Sequence, residues 1–323
     1  MMERQPNGNV LAEPEGFFLG ILKRLTGATG ATGASGTHRP IPSLAVCISG
    51  AVRTFPSACF RQSFDRFRLA MPPFDVFLVL KLDDAAYDSM LNDEFGVQAF
   101  MASIRTIRPR RVVLFHRFED PKVNHSSYSS QLTMIDLSFR IAEAHRKYDY
   151  YMRYRPDFIM IDPIPISDMN VFKRDTIYTT RKHDAPASDQ IFLISAVTKR
   201  YWWDMQPKIG LTALCSPEYL IFRNQVVQNG PHFRGGLLRP WSGDLLTWDE
   251  DDARLRTVLK SKMPRCMQQN RAPPSHSGNL AETIGRLTRA LHEASVAADG
   301  FRFDYRYELA GGETKHHWWF HWW

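Results

Sequence analysis

The chain has 323 residues, 44% hydrophobic and 23% charged, with 19 Gly, 20 Pro and 4 Cys. Such a composition excludes wholesale disorder and fibrous folds, and the length is ample for a sizeable core. The net charge of +7 is unevenly spread: four Lys/Arg against three Asp/Glu in residues 1–43, eleven against six in 254–323, and 26 against 25 between them. A nearly neutral middle argues against the dense basic stripe of a nucleic-acid binder, so no nucleic-acid partner is expected.

Cys47, Cys59, Cys215 and Cys266 form no C-x-x-C pair, which disfavours a zinc knuckle and a disulfide-stapled mini-domain. No window reaches the roughly 18 apolar residues of a transmembrane segment. The run Phe17 to Leu22 is too short for a signal-peptide core. A soluble, cytoplasmic protein is the expectation.

Residues 1–43 read as a flexible tail. Gly recurs at every third position from Gly27 to Gly36, a short collagen-like period with no Pro inside it. The continuous apolar run Leu44 to Ile48, stopping at Ser49-Gly50, predicts a strand buried on both faces. Further strands are predicted at 74–80 and 111–115, with a helix over 87–107 between them. A helix over 127–147 follows, its stripe drawn by Tyr128, Leu132, Ile135, Phe139 and Ala142 at spacings of 4, 3, 4 and 3. Strands at 176–179 and 190–195 and helices near 197–206 and 217–228 come next. After residue 245 the pattern weakens into a C-terminal extension, 246–323, with a linker at 271–278, a helix at 280–297 and an end holding four of the eight Trp.

The segment Tyr151-Met152-Arg153-Tyr154-Arg155-Pro156-Asp157 is the chemically richest. Read as one strand, it places Arg153, Arg155 and Asp157 on one face, about 6.6 Å apart. Two guanidinium forks beside a carboxylate at a strand's C-terminal end suit a diphosphate, with or without a divalent cation on the carboxylate. A self-satisfied Arg–Asp network is the bland alternative. The turn Ser49-Gly50-Ala51-Val52-Arg53-Thr54 offers close backbone approach at Gly50 and a phosphate-reaching Arg53. Neither a dinucleotide fingerprint nor a P-loop is present. Asp189 opens the strand at 190–195, and Glu218 follows Ser216-Pro217 at a predicted helix start; taken alone, turn chemistry accounts for Asp189 and the helix dipole for Glu218.

In this order the segments resemble a family of glycosyltransferases found in algae, plants and large viruses. Its members carry SGQxRT after the first strand, then DVFxH, YDxxxRxRPD, DxFxxxS and PE opening a helix. The counterparts are Ser49 to Thr54, Phe74 to Leu78, Tyr148-Asp149 through Asp157, Asp189 to Phe192, and Pro217-Glu218. Ala51 stands where the family often has Gln, and Arg155 stands where a metal-dependent enzyme has the first Asp of Asp-x-Asp.

The resemblance implies an α/β, GT-A-like, Rossmann-type domain over 44–245, with a mostly parallel sheet flanked by helices. It implies transfer of a sugar from a nucleoside-diphosphate donor to a hydroxyl of a glycan or glycoprotein. Ser49, Gly50, Arg53, Arg153, Arg155 and Asp157 would bind the donor, and Asp157 would hold Mn or Mg if a divalent cation is used. In an inverting enzyme Asp189, ahead of Glu218, would supply the acidic side chain that takes the acceptor proton; in a retaining one Asp189 would position the reacting sugar face. A non-catalytic nucleotide- or glycan-binding protein is the alternative.

Overall fold

The computed structural model describes residues 41–82, 94–117, 127–161, 163–180, 190–199, 226–229, 233, 235–238, 245–246, 257, 280–297, 301–308 and 314–315. Its first half runs β1 (Leu44–Ala51), α1 (Ala58–Ala70), β2 (Phe74–Leu82), α2 (Glu94–Ile107), β3 (Arg111–Arg117), α3 (Ser127–His145), β4 (Tyr150–Tyr154) and β5 (Phe158–Met160). There follow β6 (Thr176–Thr179), β7 (Ile191–Ser195), β8 (Val226–Asn229), β9 (Gly235–Leu238) and β10 (Leu245–Leu246). Last come α4 (Leu280–Val296), β11 (Arg302–Glu308) and β12 (Thr314–Lys315).

Among the described residues, nine strands form one sheet in the order β12-β11-β3-β2-β1-β4-β7-β6-β8. The stretch from β11 to β4 is parallel throughout, and β7 is antiparallel to both β4 and β6. This is the mostly parallel, helix-flanked α/β architecture that the sequence predicts. Along β1 the side chains alternate between two cores. Leu44, Val46 and Ile48 join Phe60, Phe64 and Phe67 of α1, Phe100 and Ile104 of α2, and Leu287 and Leu291 of α4. Ala45 and Cys47 join Ile135, Phe139 and Ala142 of α3 on the opposite face. Burial on both faces is why β1 carries no polar residue before Ser49.

A second, three-stranded sheet has the order β10-β9-β5. Its pairing requires a glycine at Gly235, where a Cβ would lie 2.1 Å from the Ile159 carbonyl oxygen. No side chain fits there.

Several boundaries differ from expectation. The α2 helix is described from Glu94, so 87–93 lie outside the described residues. Helix α3 ends at His145, and the side chains of Tyr128 and Leu132 lie outside the described set. Residues 226–228, expected to end a helix, belong to β8, where the β-branched Val226-Val227 pairs in parallel with Thr176-Ile177. The C-terminal segment contributes β11, which pairs with β3 over its whole length. Among the described residues, no helix is long and apolar enough to cross a membrane.

The fold sets the site through one feature of connectivity. From β1 the chain steps outward to β2 and β3, then returns through α3 to β4 on the other side of β1. The order of strands therefore reverses between β1 and β4. Open α/β sheets bind their ligands in the crevice beyond the C-terminal ends of such a strand pair.

Candidate functional site

At the top of β1 the backbone turns sharply. Gly50 has φ 142°, and a Cβ there would meet Pro156 Cδ at 3.0 Å, so the loops after β1 and β4 touch at this point. The turn closes with Val52 N–H donating to the Lys81 carbonyl at 3.0 Å and Phe55 N–H to the Val52 carbonyl at 2.8 Å. Between them Arg53 adopts φ 38°, the left-handed region that a residue with a Cβ disfavours. Strain of this kind costs on the order of 1–3 kcal/mol and concentrates where a side chain must be aimed. Arg53 is aimed at Asp157: its Nη1 donates to Oδ2 at 2.8 Å.

The second loop supplies the rest. Strand β4 ends at Tyr154, and Phe158 N–H donating to the Arg155 carbonyl at 3.0 Å closes a turn over Pro156-Asp157. Alternation along a strand therefore does not carry through to Asp157. Arg155 is tied to β7 through its own N–H, which donates to the Gln190 carbonyl at 3.0 Å. Its Nε donates to Asp157 Oδ1 at 2.8 Å and its Nη2 to Oδ2 at 3.2 Å. Side-chain exposure is 30% for Arg53, 16% for Arg155 and 4% for Asp157. The carboxylate lies underneath and the two cations cover it. Burial alone would raise the Asp157 pKa, but the charges of Arg155 and Arg53 and their hydrogen bonds outweigh it and hold the carboxyl below its ordinary range. An approaching anion meets two planar donor forks with one net positive charge between them.

Arg153 stands elsewhere. It is fully enclosed, with Nη1 donating to the Ser49 hydroxyl at 2.5 Å, to the Ser49 carbonyl, and to the Tyr154 carbonyl at 3.2 Å. It sits beneath the β1 turn rather than in the crevice, so it shapes the site through Ser49. The Tyr148-Asp149 pair that precedes it lies at the other end of β4. There Asp149 Oδ2 accepts from Ser43 N–H and Oγ at 2.9 Å each, tying the start of β1 to the start of β4. Ser49, Gly50, Arg53, Arg155 and Asp157 are thus brought together, and Arg153 supports them from below. Asp189 and Glu218 lie outside the described residues. The Gln190 carbonyl adds a backbone acceptor, which leaves no residue signature in a sequence.

As a metal centre this site is poorly furnished. Both Asp157 oxygens are engaged by guanidinium groups, and a hard divalent cation needs several oxygen ligands. Among the described residues, no group of three or more His, Cys, Asp or Glu could hold a metal ion. The donor set in view does not fit Mn or Mg. Nor does Cys47 offer a nucleophile, since burial pushes its thiol up to about 12.

No family model matches the chain, and no curated protein matches it. Among solved structures it is similar to a glycosyltransferase involved in the glycosylation of the major capsid of PBCV-1. That match has 8% identity, a TM-score of 0.31, and covers 76% of this chain and 100% of that one. It is also similar to a mannosyltransferase from Pyrobaculum calidifontis in complex with GDP-Man and Mn2+, with 11% identity and a TM-score of 0.35, covering 87% of this chain and 82% of that one.

Proposed function

We propose that this protein is a GT-A-like glycosyltransferase whose donor is a nucleoside-diphosphate sugar. One observation carries the reading: the Arg53–Asp157–Arg155 cluster occupies the reversal of strand order between β1 and β4, with Arg53 held in a strained backbone. Transfer of a sugar leaves a diphosphate whose charge grows as the glycosidic bond breaks, and preorganised cations stabilise that charge. Arg53 and Arg155 are assigned this role. Asp157 keeps the two like charges side by side before the donor arrives and accepts back whatever donor capacity the diphosphate does not use. Gly50 leaves room for the diphosphate to approach the backbone.

The acceptor hydroxyl loses a proton to an acidic side chain, and Asp189 is assigned to that task ahead of Glu218. Supporting this order, the residue after Asp189 is Gln190, whose carbonyl holds the Arg155 backbone. No step is routed through a divalent cation, because Asp157 would have to leave both Arg53 and Arg155 to coordinate one.

Saturation of Asp157 by its two partners favours a second reading, a nucleotide-sugar binder without turnover. The discriminating experiment is a thermal-shift series with nucleoside diphosphates and their sugars, followed by donor hydrolysis in the absence of acceptor. A ligand that binds the native state raises its melting temperature. Stabilisation with slow hydrolysis supports the transferase. Stabilisation without hydrolysis supports the binder. No stabilisation by any nucleoside diphosphate overturns both.

A further inference from the structure

The opposite end of the sheet carries a second basic site, independent of the first. Strand β2 begins there at Phe74 and β3 at Arg111, and between their N-terminal ends opens a cleft of about 390 Å³. Arg68, Arg108 and Arg110 line it on the cationic side, and Pro72, Phe74 and Pro109 give it flat apolar walls.

Its one lining carboxylate does not neutralise it. Asp75 accepts from Arg110 Nε at 2.8 Å through Oδ1, and from Arg146 Nη2 at 2.6 Å and the Tyr148 hydroxyl at 2.8 Å through Oδ2. Each Asp75 oxygen is engaged, so Arg68 and Arg108 meet no carboxylate in the cleft. Arg68 ends helix α2 by donating Nη2 to the Ile107 carbonyl at 2.5 Å, and its guanidinium lies over the Phe64 and Phe74 rings at 5.5 and 5.9 Å. Among the described residues, no carboxylate pairs with Arg108. The pKa of Arg68 is lowered first by burial and next by the Arg108 charge, with Asp65 opposing, so the fold brings like charges together here.

Backbone geometry points the same way. Arg108 has φ 48°, one of two left-handed non-glycine residues among those described, and its N–H still donates to the Ile104 carbonyl at 2.9 Å. Pro109 follows and restricts its conformation further. The chain thus holds a long cation at a strained position on the rim of a cleft.

From the three arginines, the flat apolar walls and the committed Asp75, we propose that this cleft binds a phosphate or sulfate ester of a sugar. Guanidinium forks match tetrahedral oxyanions in bidentate geometry. The C–H face of a pyranose fits against the Phe74 and proline walls, and the volume accommodates one ring beside the anion. A sugar phosphate and a sulfated glycan share this chemistry, and the test separates them.

The experiment is isothermal titration of the full chain with glucose 6-phosphate, with a sulfated disaccharide and with inorganic phosphate, using wild type, Arg108→Gln and Arg110→Gln. Both substituted side chains sit at the surface, and thermal unfolding of each variant confirms its fold. Saturable binding of one ester, tighter than inorganic phosphate and weakened at least tenfold in either variant, supports the proposal and names the ester. Donor-nucleotide binding stays unchanged in both, which separates this cleft from the Arg53–Asp157–Arg155 site. Absence of saturable binding, or equal binding by wild type and both variants, overturns it.

Discussion

The two ends of the parallel sheet carry similar pieces in different arrangements. Each has a buried aspartate held by two arginines: Asp157 with Arg53 and Arg155 at the C-terminal end, Asp75 with Arg110 and Arg146 at the N-terminal end. Each also has an arginine in the left-handed region, Arg53 at one end and Arg108 at the other. At the C-terminal end the strained arginine is itself a partner of the aspartate, and exposure of the pair's cations is 30% and 16%. At the N-terminal end the partners are 57% and 54% exposed, and the strained arginine is not among them. A carboxylate shared with well-solvated arginines is a fastening, because water screens the exchange. On the proposed function, one roofed by half-buried cations is a reservoir of positive charge for a diphosphate.

The sharpest way to break this contrast is to remove one charge at each end. Asp157→Asn is expected to abolish sugar transfer and to weaken nucleoside-diphosphate binding at least tenfold, since Arg53 and Arg155 then repel without a counter-ion. Asp75→Asn is expected to leave donor binding intact and to lower stability. Parallel titrations and turnover assays of the two variants check this. Equal donor affinity in both would return the Asp157 cluster to the status of a fastening.

Second in size is Arg153→Ala. The side chain is enclosed and bonded to Ser49, so its loss leaves buried acceptors and a void. The unfolding free energy should fall by about 3 kcal/mol. Donor affinity should fall as well, because the Ser49-Gly50 turn loses its support. Urea denaturation measures the first effect and titration the second. A stable variant with lost affinity would instead put Arg153 in the crevice, where the sequence places it.

That case illustrates what was legible. Hydrophobic runs at 44–48, 74–80 and 111–115 marked the parallel strands, because burial on both faces leaves a continuous apolar signal. The Arg-x-Arg-Pro-Asp segment marked the crevice. Its side-chain directions were not legible, since the strand stops at Tyr154 and a turn replaces the alternation. Helix α1 is not among the expected elements, although Ser57 caps it through Phe60 N–H and Phe60, Phe64 and Phe67 face one core. Its polar residues Arg61, Gln62, Asp65 and Arg66 lie off the buried face, so the amphipathic stripe is present in the sequence. In the sequence the second basic end shows only as the closely spaced Arg105, Arg108, Arg110 and Arg111, because the Asp75 partnership spans 35 to 73 residues.

Acid titration sharpens the comparison from another side. In Asp75 burial acts to raise the pKa, but the Arg110 and Tyr148 hydrogen bonds and the Arg146 charge win, so it is depressed like Asp157. A depressed folded pKa contributes stability that is fully present above the unfolded value, about 3.9, and is lost as pH falls through the folded one. Urea unfolding should therefore be level from pH 7 to about 5 and weaken steeply below about 4. Both aspartate-to-asparagine variants should flatten that acid limb. An unaltered limb in either would show that its carboxylate is not held by charge.

The smallest expected effect is also the most diagnostic, because its sign differs between the two ends. Glycine adopts positive φ freely, so Arg→Gly removes backbone strain of about 1–2 kcal/mol and returns about 0.5–1 kcal/mol through the greater entropy of the unfolded chain. At Arg108 no described carboxylate is lost and a like-charge neighbour of Arg68 is removed. Arg108→Gly should then stabilise the protein by about 0.5–1 kcal/mol. At Arg53 the same relief is outweighed, because Asp157 is buried and left with one partner, a deficit of about 1–3 kcal/mol. Arg53→Gly should be destabilising overall. Chemical denaturation of the two variants under one set of conditions reads both signs. A matching sign at both positions would mean that the strain serves the same purpose at each end, and that Arg53 is not specially committed to its carboxylate.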